Sequence, residues 1–316
     1  IVQLYSIDKA GNVGIASEKT FTVDRTSPTA TITIPVDSNN SGMRELVKIE
    51  GNASDNYANS KVYIAIRKLA PTPVWWDGSG FTITGDVPNW IDVTAAGYLS
   101  SNATYYYYNP ANLDSQLASD YRYLILVKAR DVATNEQEIF SVGVSSKTIK
   151  VDKDKPVSSI SRPLNSGAYK SSLIGKTANS TQLSGTATDY PDNVYAGVNR
   201  TQIRLSYIDS GTTYYYNGTS FVSISSETAW LNTSVSGSGK TKNWDYMSDV
   251  NWASGDKEYT LEVKSMDDSR LADDTGDGNE EISPYVSVKF IVDDTPPTVS
   301  ITTPTDGSKL NYTPTV

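Results

Sequence analysis

Apolar and polar residues alternate with period two along most of the chain. Tyr123, Ile125, Val127, Ala129 and Asp131 fall on one side of a run that ends in a turn at Asn135. Tyr259, Leu261, Val263, Ser265 and Asp267 repeat that run at the same spacing, and Val2, Leu4, Ser6, Asp8 and Asn12 match its end. Successive side chains of a strand point to opposite faces, so this period predicts half-buried β-strands. It places Ile125, Val127, Leu261 and Val263 in a core. It also sets Tyr123 and Tyr259 where a sandwich carries a tyrosine corner, hydrogen-bonded to backbone upstream. A second alternating strand follows each run, through Phe21 and Val23, Ile149 and Val151, and Phe290 and Val292. The Asp-Lys-Ala-Gly-Asn of 8–12 and the Asp-Val-Ala-Thr-Asn of 131–135 between them are turn chemistry.

Self-comparison extends the repeat. Val23-Asp24, Val151-Asp152 and Val292-Asp293 each lead into a short linker and a proline, Pro28, Pro156 and Pro297. A second proline follows each at one spacing, Pro35, Pro163 and Pro304, and then a turn, at Asp37-Ser38 in the first case. Proline at both ends suits an edge strand, where a missing N–H costs no ladder bond. Gly51-Asn52-Ala53-Ser54-Asp55 matches Gly185-Thr186-Ala187-Thr188-Asp189. Aromatic hairpins around Asp77-Gly78 and Asn217-Gly218 match as well, and Trp90 and Trp230 follow them at equal distance. These units have the length of whole domains. The predicted organisation is the tail of one domain (1–24), two complete domains (25–152 and 153–293) and the head of another (294–316). The fold class is all-β: tandem immunoglobulin-like β-sandwiches in a linear array, cut from something longer.

Composition agrees and excludes much. The 316 residues hold 21 Tyr against 5 Phe and are rich in Thr and Val, which favour a pleated surface. There is no His and no Cys. That removes Ser-His-Asp triads, thiol nucleophiles, disulfides and zinc sites of those ligands. A net charge of −9 argues against a nucleic-acid partner, and no apolar run is long enough to span a membrane as a helix. No motif for catalysis appears, so the chain is expected not to be an enzyme. Oxygen-ligated cations remain possible.

The acidic stretch after Asp267 is the leading candidate for one. Asp273, Thr275, Asp277 and Asn279 alternate, with Gly278 for a sharp turn. This is close to the ligand spacing of a Ca2+ loop, with Glu281 in place of the missing closing carboxylate. The competing reading is a disordered acidic loop. Asp24, Asp152, Asp154, Asp293 and Asp294 at the domain junctions are a second set of possible calcium ligands. Arg25, Lys153 and Lys155 among them favour a plain linker. Asp8, Asp131 and Asp267 read as turn-closing residues. Trp75, Trp76, Tyr214 and Tyr216 are candidate glycan contacts, since flat apolar rings stack on sugars; hairpin packing is the alternative.

The Tyr-x-Leu/Ile-x-Val-x-Ala/Ser-x-Asp run, the Asp-x-Ala-Gly-Asn turn and the Val-Asp-x-x-x-Pro junction resemble the bacterial Ig-like repeats of very large cell-surface and adhesin-type proteins. The resemblance covers the whole chain. It implies an extracellular, cell-surface location and a structural role as stalk, adhesin or surface fibre. The implied partners are neighbouring Ig-like domains of the same chain. Two rival readings are a carbohydrate-binding module and a filament subunit joined to identical chains by strand addition. The 153–293 repeat departs from the Asp-x-Ala-Gly-Asn turn, which leaves the role of that turn open there.

Overall fold

The computed structural model describes residues 1–36, 42–93, 104–178 and 180–311; the turn predicted at Asp37-Ser38 lies outside them. The chain divides into two compact units. The first comprises residues 1–156, 188–199 and 266–280, and the second 157–187, 200–265 and 281–316. The segments 188–199 and 266–280, which the sequence places in the 153–293 repeat, thus pack in the first unit.

The first half of the chain supplies β1 (Val2–Leu4), β2 (Ser17–Lys19), β3 (Thr29–Ile34), β4 (Met43–Glu45), β5 (Ile49–Ser54) and β6 (Asn59–Lys68). It continues with β7 (Val74–Trp76), β8 (Phe81–Thr84), β9 (Ile91–Asp92), β10 (Tyr105–Tyr108), β11 (Tyr121–Asp131) and β12 (Ser146–Val151). The second half supplies β13 (Val157–Arg162), β14 (Gly167–Tyr169), β15 (Ser184–Thr188), β16 (Val198–Asp209), β17 (Thr212–Tyr216) and β18 (Phe221–Val222). There follow β19 (Leu231–Asn232), β20 (Ser234–Ser236), β21 (Thr241–Asp245), β22 (Lys257–Asp267), β23 (Arg270–Leu271) and β24 (Val286–Val292).

In the first unit β3, β5 and β10 form one sheet in the order β10-β5-β3. The other runs β4-β12-β11-β6-β7-β8, with β23 added parallel to β4 at its edge. The second unit has β13-β15-β21-β20 and β14-β24-β22-β16-β17-β18. Apart from β23 and β20 at sheet edges and a separate β1-β2 pair in the first unit, the strand order is the same in both. A short strand, β4 or β14, runs parallel to the last strand, while the strand before it joins the opposite sheet. This is the arrangement of an immunoglobulin-like sandwich, and the fold is all-β as expected. Among the described residues the helices are the short α-helix Leu113–Gln116 and the 3₁₀ turn Ser226–Ala229.

The shared sequence patterns find their physical reasons here. Ile125, Val127, Leu261 and Val263 are fully buried. Tyr123 Oη accepts from Ala118 N at 2.9 Å, and Tyr259 Oη from Ala253 N at 3.1 Å, so both tyrosine corners form. The second proline of each junction, Pro35, Pro163 and Pro304, follows a cis peptide bond.

The glycine of the Gly-x-Ala-x-Asp pattern is set by close approach. An added Cβ on Gly51 would stand 1.8 Å from Thr31 O and 2.7 Å from Tyr106 Oη. One on Gly185 would stand 2.0 Å from Ser159 O and 2.7 Å from the Trp244 ring. Those aromatics also bond the same carbonyls, Tyr106 Oη to Thr31 O at 2.8 Å and Trp244 Nε1 to Ser159 O at 3.0 Å. An aromatic of one strand thus reaches across a glycine to the edge strand of its sheet. Gly51→Ala and Gly185→Ala are each expected to cost about 1–3 kcal/mol through overpacking against rigid backbone. Denaturant midpoints check this, and an unchanged midpoint would show that the edge strand moves freely aside.

Candidate metal centres

Two groups of three aspartates gather in the first unit. Asp152, Asp189 and Asp267 each present a carboxylate oxygen, and the three oxygens lie within 4.8 Å of one another. Asp24, Asp55 and Asp131 do the same. The two groups occupy matching places in the repeat. Asp24 and Asp152 follow the junction valine, Asp55 and Asp189 end the Gly-x-Ala-x-Asp pattern, and Asp131 and Asp267 end the long alternating strand.

The same asparagine frame holds both. Asp131 accepts from Asn135 N at 2.8 Å and from Asn135 Nδ2 at 2.7 Å, and that amide also donates to Asp24 O at 3.3 Å. In the other group Asp267 accepts from Asn279 N and from Asn279 Nδ2, both at 2.8 Å, and the amide donates to Asp152 O at 3.1 Å. Asn279 therefore takes the part of Asn135 although the connecting loop is longer. Asp8 and Asn12 form the same pair at 2.9 and 2.7 Å. The departure of the 153–293 repeat from the Asp-x-Ala-Gly-Asn turn is thus one of length, with the frame retained. Gly278 makes the return possible, since a Cβ there would stand 2.1 Å from Asp267 O.

Asp152, Asp189 and Asp267 are all 0% exposed. Asp152 Oδ2 accepts from Ala196 N and Asp189 Oδ2 from Gly197 N, each at 2.5 Å. Asp189 Oδ1 is buried without a hydrogen-bond partner. In the other group Asp24 Oδ2 and Asp55 Oδ1 are likewise buried and unpartnered. Burial, and then the charges of Asp189 and Asp267, push the Asp152 carboxyl up to about 8. Burial pushes Asp189 up to about 6, with the Gly197 amide opposing and the charge of Asp267 adding. Burial also raises Asp267, against the hydrogen bonds from Ser269 and Asn279. Lys153, counted from the sequence as a repelling charge, is paired with Asp114 at 3.0 Å.

The residues chosen from the acidic loop do not converge. Asp273 is exposed and accepts from Thr275 N and Thr275 Oγ1 within its own turn. Asp277 is exposed. Glu281 accepts from Ser158 N, Ser158 Oγ and Ser265 N. Of the five, Asn279 alone joins a carboxylate group, and it does so as a donor. The reason is that Asp267 captures Asn279 while backbone and hydroxyl donors take up Asp273 and Glu281.

The aromatic candidates are mostly spent on packing. Trp75 is 2%, Trp76 0% and Tyr216 1% exposed. Trp76 Nε1 donates to Tyr108 Oη at 2.9 Å, and Tyr216 Oη donates to Asp249 O at 3.2 Å. Tyr214 is half-buried and stacks on Tyr207 with ring centroids 5.2 Å apart. Buried rings have no face left for a sugar. Alternation does place Tyr105 and Tyr107 outward while Tyr106 and Tyr108 are buried.

Along the sequence the junction and strand-end aspartates stand apart, and Asp55 and Asp189 read only as residues leading into strands. The available signal was that three different repeated patterns each carry an Asp at a fixed place.

No protein-family model and no curated protein matches the chain. Similar solved structures include a 1.5-MDa bacterial ice-binding adhesin, at 12% identity and TM-score 0.30, covering 92% of this chain and 71% of that one. The chicken CNTN1 FN1–FN3 domains match at 12% identity and TM-score 0.27, covering 91% and 74%. The enterotoxigenic E. coli adhesin CfaE matches at 11% and 0.26, covering 85% and 87%.

Proposed function

We propose that the chain is a non-catalytic structural repeat region of an extracellular surface protein. The observation that carries this reading is one strand order built twice, with the shared sequence patterns committed to core, corners and loop frames. A repeat that conserves its scaffold in this way serves to extend a chain in space. The repeats follow the boundaries 25–152 and 153–293, with partial domains at 1–24 and 294–316, and their partners are neighbouring domains of the same chain. Burial of Trp75, Trp76 and Tyr216 disfavours the glycan-binding alternative. The net charge of −9 suits a long polymer that must stay soluble.

Antibodies raised against residues 25–293 test the reading on cells of the source organism. Labelling of intact cells, removed by external protease, is the expected result. Labelling that requires permeabilisation would overturn the surface assignment.

A further inference from the structure

We propose that the two aspartate groups are divalent-cation sites, one built by Asp152, Asp189 and Asp267 and the other by Asp24, Asp55 and Asp131, and that the cation is calcium. The inference goes beyond the structural role and does not depend on it.

The first argument is charge. Three ionised carboxylates with oxygens within 4.8 Å of one another repel strongly in a site that excludes water. Among the described residues, no Lys or Arg forms an ion pair with any of the six aspartates. Hydrogen bonds from Ala196, Gly197, Ser269 and Asn279 orient the carboxylates of the buried group, and all come from neutral donors that add no positive charge to it.

The second argument is independent of charge and points to a ligand. Asp189 is fully buried, yet its Oδ1 has no hydrogen-bond partner, although a protein interior rarely leaves a carboxylate oxygen unsatisfied. The other group repeats the defect twice, at Asp24 Oδ2 and Asp55 Oδ1. The three orphaned carboxylate oxygens among the described residues all lie on these two groups, and they are free electron pairs directed at something other than a protein donor. A hard cation is the species that takes several carboxylate oxygens at once and needs no hydrogen.

The third argument is coordination chemistry. Calcium accepts carboxylates together with main-chain oxygens and waters in irregular number, which suits a site assembled from three separate loops, whereas magnesium demands a near-ideal octahedral shell. The cradle is tight around one group: a Cβ on Gly42 would stand 2.4 Å from Asp152 Cβ.

The fourth argument is recurrence. The loop after Asp267 differs in length from the loop after Asp131, yet Asn279 and Asn135 brace equivalent aspartates and equivalent junction carbonyls. A frame preserved through an insertion is a frame with a use.

Calorimetric titration of the chelator-stripped full chain with calcium chloride tests this. Two saturable sites per chain are expected, with dissociation constants of about 1 mM or tighter. Asp189→Asn and Asp55→Asn should each leave one site, and the double variant none. Circular dichroism checks that the variants fold; Asp24→Asn, at a half-buried position, replaces Asp55→Asn if that variant does not, and Asp152→Asn replaces Asp189→Asn. Magnesium should bind at least about tenfold more weakly, given its demand for a smaller octahedral shell. No saturable uptake up to about 5 mM calcium, a stoichiometry untouched by the substitutions, or equal affinity for magnesium would overturn the assignment.

Discussion

Trp76→Ala is expected to remove about 3–5 kcal/mol from the stability of the first unit. The side chain is fully buried, its ring lies 5.2 Å from that of Phe81, and its indole N–H is held by Tyr108 Oη. Truncation would leave a cavity among rigid strands, where relaxation is limited. It would also remove the buried hydrogen bond to Tyr108 Oη. A tryptophan kept on a surface for a sugar would behave differently, with a change within about 0.5 kcal/mol. Guanidinium unfolding followed by circular dichroism separates the two. A small change would return Trp76 to the candidate ligand contacts.

In chelator, stability is expected to fall as pH rises from about 4 to about 8. Burial and mutual charge raise the folded-state values of Asp152 and Asp189 to about 8 and about 6, from an unfolded value of 3.8. Between the unfolded and folded values the folded chain binds more protons than the unfolded chain, so raising the pH favours unfolding. The stabilisation is complete below the unfolded value and lost once the folded values are passed. Asp77 and Asp249, whose values hydrogen bonds lower, act with the opposite sign below this window. Calcium would hold the triads ionised and remove the slope. Melting temperatures at pH 5 and pH 8, with chelator and with calcium, read this directly. A chelated chain that melts higher at pH 8 than at pH 5 would contradict the prediction.

Much of the fold was legible because alternation is a local signal. The Tyr123–Ala129 and Tyr259–Ser265 positions are inward in the sandwich as their period required. Repetition supplied the sheet plan, since equal patterns in equal order fold to equal strand orders. The aromatic hairpins were harder, because alternation cannot say whether both faces of a strand are covered. Trp75 and Trp76 are neighbours on opposite faces and both are buried, Trp75 with Leu126 and Trp76 in the main core. The acidic loop is a related case. Ligand spacing along a chain assumes that the loop closes on itself, and here Asn279 is drawn to Asp267 instead. The aspartate groups are non-local: Asp152, Asp189 and Asp267 converge only through the pairing of distant segments, which no window along the sequence contains.

Crystals grown in calcium would examine both aspartate groups at once. The prediction is an anomalous peak inside each group, at about 2.3–2.6 Å from oxygens of Asp152, Asp189 and Asp267 in one and of Asp24, Asp55 and Asp131 in the other. Carboxylates bridged by water or by shared protons, with no anomalous signal at millimolar calcium, would contradict it.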